Sequence, residues 1–146
     1  MKNVKVEIIN KSKYPLPEYA TIGSAGADLY ANIDEDMILR QGEISLIPTG
    51  IYIKLPVGYE AQIRARSGLS LKHGVTLVNG IGTIDRDYRG EIGIIITTLK
   101  NEPFRVTPGM KIAQMVISKH EIAEFTEVEN LDETDRGKGG FGHSGV

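Results

Sequence analysis

Short alternating and β-branched apolar runs dominate the chain. Val4–Ile9 alternates apolar with polar positions, and Tyr59–Arg66 does so again. Glu43–Leu55 (EISLIPTGIYIKL) is mostly branched, with Pro48 and Gly50 marking a bend or bulge at its middle. Val75–Val78 is a shorter run, Glu91–Leu99 (EIGIIITTL) is the most apolar, Met110–Lys119 alternates weakly, and Ala123–Val128 reads as one more strand. Turns rich in glycine and proline separate these runs, so the pattern predicts an all-β fold, a jelly-roll-like β-barrel or sandwich. One segment differs. Ser67–His73 (SGLSLKH) starts on a good N-cap residue, ends before Gly74, and carries Lys72 and His73 where the helix dipole favours cations. It is the one short helix expected.

Composition adds to this picture without redirecting it. The chain has 146 residues, which suits a single domain, and isoleucine outnumbers leucine by 19 to 10, as strands prefer. Cysteine is absent, which excludes disulfides and thiolate metal sites. A net charge of −2 supplies no field to hold nucleic acid, so direct nucleic-acid binding is not expected. The first residues, MKNVKVEIIN, lack the apolar core of a signal peptide, and no run nears the roughly 20 apolar residues that span a bilayer. A soluble cytoplasmic protein without membrane partners is expected. After Leu131 the character changes: residues 132–146 hold five glycines, and Phe141 is the only large apolar residue before Val146. We expect a body over residues 1–131 and a flexible arm over 132–146, which either frays or orders over a ligand.

Four segments are candidates for chemistry. In RARSGLS, Arg66 and Ser67 stand where a strand meets the helix, which makes an anion site, although an ordinary cap with a solvated arginine explains them equally. In VNGIGTIDRDYRGEI, Asn79, Gly80 and Gly82 permit a hairpin or wide loop whose main chain can read a flat heterocycle. There Asp85 could serve as a general base and Tyr88 as a platform, or the segment is simply a turn. In SAGADLYA, Asp28 sits among small residues, either facing a cation through water or capping a turn. In GMKIAQ, Gln114 could bond a phosphate or a metal-bound water, or be a half-buried strand residue. His73, His120 and His143 lack metal-ligand spacing, and neither a G-x-S-x-G elbow, a P-loop nor a dinucleotide fingerprint occurs.

Taken in order, AGADLYA (25–31), RSGLS (66–70), NGIGTIDRDYRGE (79–91), GMKIAQ (109–114) and RGKGGFGHSG (136–145) resemble the five motifs of the trimeric deoxyuridine triphosphate nucleotidohydrolases, the dUTPases. The resemblance implies a homotrimer with sites shared between subunits. It implies hydrolysis of dUTP to dUMP and pyrophosphate with Mg²⁺, which limits uracil incorporation into DNA and supplies dUMP for thymidylate synthesis. By it, Asp85 activates water, and Asn79 with the backbone of Gly82, Thr83, Ile84 and Gly93 reads uracil. Tyr88 underlies the deoxyribose and excludes a 2′-hydroxyl. Arg66, Ser67, Gly68 and Gln114 hold phosphate oxygens, and Asp28 acts through magnesium-bound water rather than as a direct ligand. Arg136, Phe141 and Ser144 close over the nucleotide. Arg86 after Asp85 and His143 before Ser144 depart from the commoner family pattern. Two alternatives keep the same fold: a dCTP deaminase, which needs a glutamate against the cytosine ring, and an inactive nucleotide-binding regulator.

Overall fold

A computed structural model describes residues 3–142. Among these residues twelve short strands and one helix follow one another. They are β1 (Glu7–Asn10), β2 (Glu18–Tyr19), β3 (Ala27–Tyr30), β4 (Met37–Leu39), β5 (Ser45–Pro48), β6 (Ile51–Lys54), β7 (Tyr59–Arg64), α1 (Ser67–His73), β8 (Val75–Leu77), β9 (Gly82–Ile84), β10 (Gly93–Thr98), β11 (Phe104–Val106) and β12 (Lys111–Lys119). Every strand pairing is antiparallel.

The strands form four sheets, ordered β1-β6, β5-β10-β8, β11-β4 and β2-β3-β12-β7-β9. None of them closes on itself, which corrects the expected β-barrel. The largest sheet ends on β2, of two residues, and on β9, of three, and these edges do not pair with each other. Alternation along a strand reports which face is buried; it carries no information on which distant edges meet. The all-β character and the single short helix do agree with the sequence pattern.

The four sheets enclose one core. Alternate residues of β6 (Ile51, Ile53), β7 (Ala61, Ile63) and β10 (Ile94, Ile96) point inward and join Leu29, Leu39, Ile47, Ile92 and Val106. On β12 the register shifts between Lys111 and Ala113, so Ile112 and Ala113 are buried in succession. This bulge explains the weak alternation of that run. It also turns Lys111 and Gln114, on either side of it, toward the start of β3 and the helix.

Three local expectations need correction. Arg66, not Ser67, occupies the helix N-cap position, with extended backbone and no side-chain cap bond; Gly74 closes the helix in the left-handed conformation as expected. Ser67 is thus the first helical residue. β8 and β9 belong to different sheets, so Asn79–Ile81 carries the chain between layers instead of turning a hairpin, and Asp85–Ile92 is a wide loop. Ala123–Val128 is not a strand. Ile122 and Phe125 are 88% and 94% exposed, and among the described residues no hydrogen bond joins 121–142 to the rest of the chain. Among the described residues the segment pairs with no sheet edge. Among the described residues no helix is long and apolar enough to cross a membrane.

Candidate active site

The candidate residues before residue 120 fall into two cavities. The larger, about 620 Å³, is lined by Ser24–Gly26, Asp28, Arg64, Arg66–Leu69, Lys72, His73 and Gln114, among others. The smaller, about 250 Å³, is lined by Asn79, Gly82–Asp85, Tyr88, Glu91 and Gly93, with Ile63 and Ile95 behind. Strand β7 divides them: Ile63 borders one cavity, and its neighbour Arg64 borders the other.

Charge organises the larger cavity. The Asp28 side chain is only 10% exposed, and two cations hold it: Arg66 Nε lies 3.1 Å from Oδ1, and Lys111 Nζ lies 2.9 Å from Oδ2. Arg66 also donates to the Lys111 carbonyl at 2.9 Å. Hydrogen bonding to the Asp28 carboxylate, reinforced by its charge, raises the Lys111 ammonium above the ordinary lysine range. Two strands, β3 and β12, therefore fix the guanidinium of the helix junction at the cavity wall. Gln114 donates from Nε2 to the Ala65 carbonyl at 2.9 Å, and a Cβ on Gly26 would fall 2.1 Å from its Oε1. Arg64, Arg66 and Lys72 outnumber the one carboxylate at this cavity, so its chemistry suits an anion.

Main-chain geometry organises the smaller cavity. β9 pairs with β7 along one side and is the edge of its sheet, leaving its other side toward the cavity. Asp85 follows β9 directly, is exposed, and forms no ion pair among the described residues. The Tyr88 N–H donates to the Asp85 carbonyl at 3.1 Å, closing the turn, and Arg89 Nη1 donates to the carbonyls of Arg86 and Tyr88. The Tyr88 hydroxyl donates to the Glu91 carbonyl at 2.9 Å, so the ring lies across Gly90, where a Cβ would come within 2.3 Å of that hydroxyl. At Gly93 a Cβ would meet Leu46 Cδ1 at 2.7 Å, so a side chain there would have to displace the exposed Leu46.

Placement of the sequence candidates thus divides cleanly. Asp28, Arg66, Ser67, Gly68 and Gln114 meet in one cavity; Asn79, Gly82, Thr83, Ile84, Asp85, Tyr88 and Gly93 meet in the other. Arg136 and Phe141 line neither cavity, and Arg136 Nε instead donates to the Gly139 carbonyl at 2.8 Å. Ser144 lies outside the described residues, as does His143. Sequence reasoning missed Lys111 and Glu91. Both stood inside the quoted motifs, but each looked like an ordinary strand-end charge, and only the tertiary pairing reveals its partner.

A family model for dUTPase matches residues 12–145. The chain belongs to the dUTPase family. It is similar to a deoxyuridine 5′-triphosphate nucleotidohydrolase of Finegoldia magna, with 60% identity over 97% of this chain and 99% of that one. The dUTPase of Staphylococcus bacteriophage 80alpha, solved with dUPNHPP, matches the structure with a TM-score of 0.86, at 28% identity over 97% of this chain and 99% of that one. A point mutant of the dUTPase from phage phi11 of S. aureus, described with a structural Mg(II) ion, shares the fold with a TM-score of 0.77. It is 24% identical, over 88% of this chain and 99% of that one.

Proposed function

We infer that this member of the dUTPase family hydrolyses dUTP, with water, to dUMP and pyrophosphate. The activity keeps uracil out of DNA and supplies dUMP for thymidylate synthesis in the cytoplasm. The observation that carries the reading is the smaller cavity, where a carboxylate, an aromatic platform and an edge strand's main chain share one small space. Asp85 takes a proton from water as its oxygen bonds to the α-phosphorus. The bond from that phosphorus to the oxygen bridging to the β-phosphorus breaks, and pyrophosphate leaves. The main chain of Gly82–Ile84 and Gly93, with the Asn79 amide, reads the uracil edge. Cytosine reverses the donor and acceptor at that edge and would leave buried partners unpaired. Tyr88 supports the deoxyribose and leaves no room for a 2′-hydroxyl.

Arg66, Ser67, Gly68 and Gln114 bind phosphate oxygens from the larger cavity. Their separation from Asp85 within one chain is what a site shared between copies requires, and it supports a homotrimer. The exposed apolar stretch Ile122–Leu131, with no hydrogen-bond partner in the body of the fold among the described residues, suits a segment laid on a neighbouring subunit. The arm 132–146 then closes over the nucleotide through Arg136, Phe141 and Ser144, excluding water from the reacting phosphate.

The donor set fits Mg²⁺ carried in by the triphosphate. Among the described residues no three His, Asp or Glu side chains gather into a cage, and Asp28 offers only the lone pairs its two cations leave free. Such a place suits an ion that keeps its waters and takes phosphate oxygens, with Asp28 accepting from a bound water. When bound, the ion neutralises charge on the phosphates. A dCTP deaminase would need a glutamate turned toward the base; Glu91, which borders the cavity, is tied instead to the Gly50 amide. Pyrophosphate release measured with dUTP, UTP, dTTP and dCTP tests the reading: dUTP alone should turn over efficiently, and ammonia release from dCTP would overturn it.

A further inference from the structure

Glu91 has a geometry that the reaction as described leaves unused. Its carbonyl accepts the Tyr88 hydroxyl at 2.9 Å, and its carboxylate Oε1 accepts the Gly50 N–H at 2.7 Å. Gly50 lies at the bend between β5 and β6 with φ +69°, and a Cβ there would fall 2.8 Å from the Ser12 amide, so the bend is crowded and needs glycine. Its carbonyl accepts from Lys11 N–H at 2.8 Å, which binds the bend to the end of β1. One residue along, Thr49 Oγ1 donates to the Ile92 carbonyl at 2.5 Å while accepting from the Ile51 amide. The loop carrying Asp85 and Tyr88 is otherwise closed by bonds within itself, from Arg89 and from the Tyr88 amide. Three bonds thus fasten the C-terminal end of this loop to the body of the fold: Glu91 to Gly50, Thr49 to the Ile92 carbonyl, and the Ile92 N–H to the Ile51 carbonyl at 2.8 Å; of these only the first is made by a side chain of the loop itself.

We propose that Glu91 is a positioning residue for sugar discrimination, joining the Tyr88 platform through its own main chain and its side-chain bond to Gly50. The proposal rests on the reading that Tyr88 supports the deoxyribose. A carboxylate accepting from a main-chain amide makes a charge-assisted bond, and without an acceptor that amide is left unpaired in a crowded bend. The loop end then relaxes, and the ring it carries shifts with it. A platform that binds ground state and transition state alike affects KM more than kcat, and a displaced ring admits the 2′-hydroxyl.

The test is steady-state kinetics of the full-length protein with dUTP and UTP, for the parent, E91A, E91D and E91Q. In E91A, KM for dUTP should rise about tenfold with kcat nearly held, and the preference for dUTP over UTP in kcat/KM should fall about tenfold, the worth of one such bond. E91D, whose shorter side chain cannot reach Gly50, should move the same way and serves if E91A does not fold. E91Q keeps an acceptor oxygen and should restore the parent values. Equal losses on both substrates, a fall in thermal midpoint with the preference unmoved, or E91Q behaving like E91A would overturn the proposal. A parent that does not prefer dUTP would overturn the Tyr88 reading itself, and the Glu91 proposal with it.

Discussion

Gly26→Ala isolates how β3 and β12 together set the wall of the larger cavity. The added Cβ would lie 2.1 Å from Gln114 Oε1 and 2.9 Å from its Cδ, where ordinary contact begins at 3.4 Å. Gln114 must move by about 1.3 Å and lose its bond to the Ala65 carbonyl. One lost hydrogen bond and a displaced rotamer cost about 1 kcal/mol each. Alanine restricts the unfolded chain and returns roughly 0.4–1 kcal/mol. The net loss is about 1–1.5 kcal/mol, which at a urea m-value of about 2–3 kcal/mol/M moves the midpoint down by about 0.5 M. Urea titration at fixed protein concentration measures it, in the parent background and in Q114A. With residue 114 cut back to its Cβ, 3.2 Å away, the two worst contacts are gone, so G26A should cost much less there. An equal loss in both backgrounds, or none in the parent, would refute the steric argument.

Three other outcomes follow from the same geometry. Asp28→Asn removes the charge that holds Arg66 and Lys111; with both partners more than a third exposed, stability should fall by only about 1 kcal/mol, while KM for dUTP rises severalfold. Unchanged kinetics would show that Arg66 needs no such anchor. Hydrogen bonding to Lys54, reinforced by its charge, holds the Glu7 carboxyl below its usual range. Its contribution to stability is therefore present above about pH 4.3 and fades as pH falls through the lowered value. Lys111, raised, contributes below about pH 10.4 and loses that contribution as pH rises through its own value. Urea midpoints across pH should show the acid dependence shrink in Lys54→Met and the alkaline dependence shrink in Lys111→Met. Deleting residues 132–146 should leave the far-ultraviolet spectrum and the oligomer mass of the remaining chain unchanged while activity nearly vanishes. Full activity after deletion would contradict an arm that closes over the nucleotide.

How much of this was legible in the sequence depends on how local each signal was. The helix Ser67–His73 was, because its end at Gly74 is a one-residue backbone requirement. The runs that became β6, β7 and β10 were, because alternation on β7 and branched apolar residues on β6 and β10 are local signals of buried strand. β3 was not read as a strand: Asp28 interrupts its apolar pattern and is tolerated only because Arg66 and Lys111 arrive from elsewhere in the chain. β4, β9 and β11 have three residues each, too few for periodicity to register. Sheet closure was misjudged because edge pairing is non-local. The motifs were legible as sequence, but the division of their residues between two cavities and the partners of Lys111 and Glu91 come from tertiary pairing.

The central claim is that Asp85 activates water for attack on dUTP. Pyrophosphate release from dUTP by the full-length protein and its Asp85→Asn variant, with dUTP binding measured alongside, tests it most directly. Asparagine matches the carboxylate in size but is no base, so kcat should fall by roughly 10²–10⁴-fold while dUTP still binds. A variant that releases pyrophosphate as fast as the parent would contradict the account.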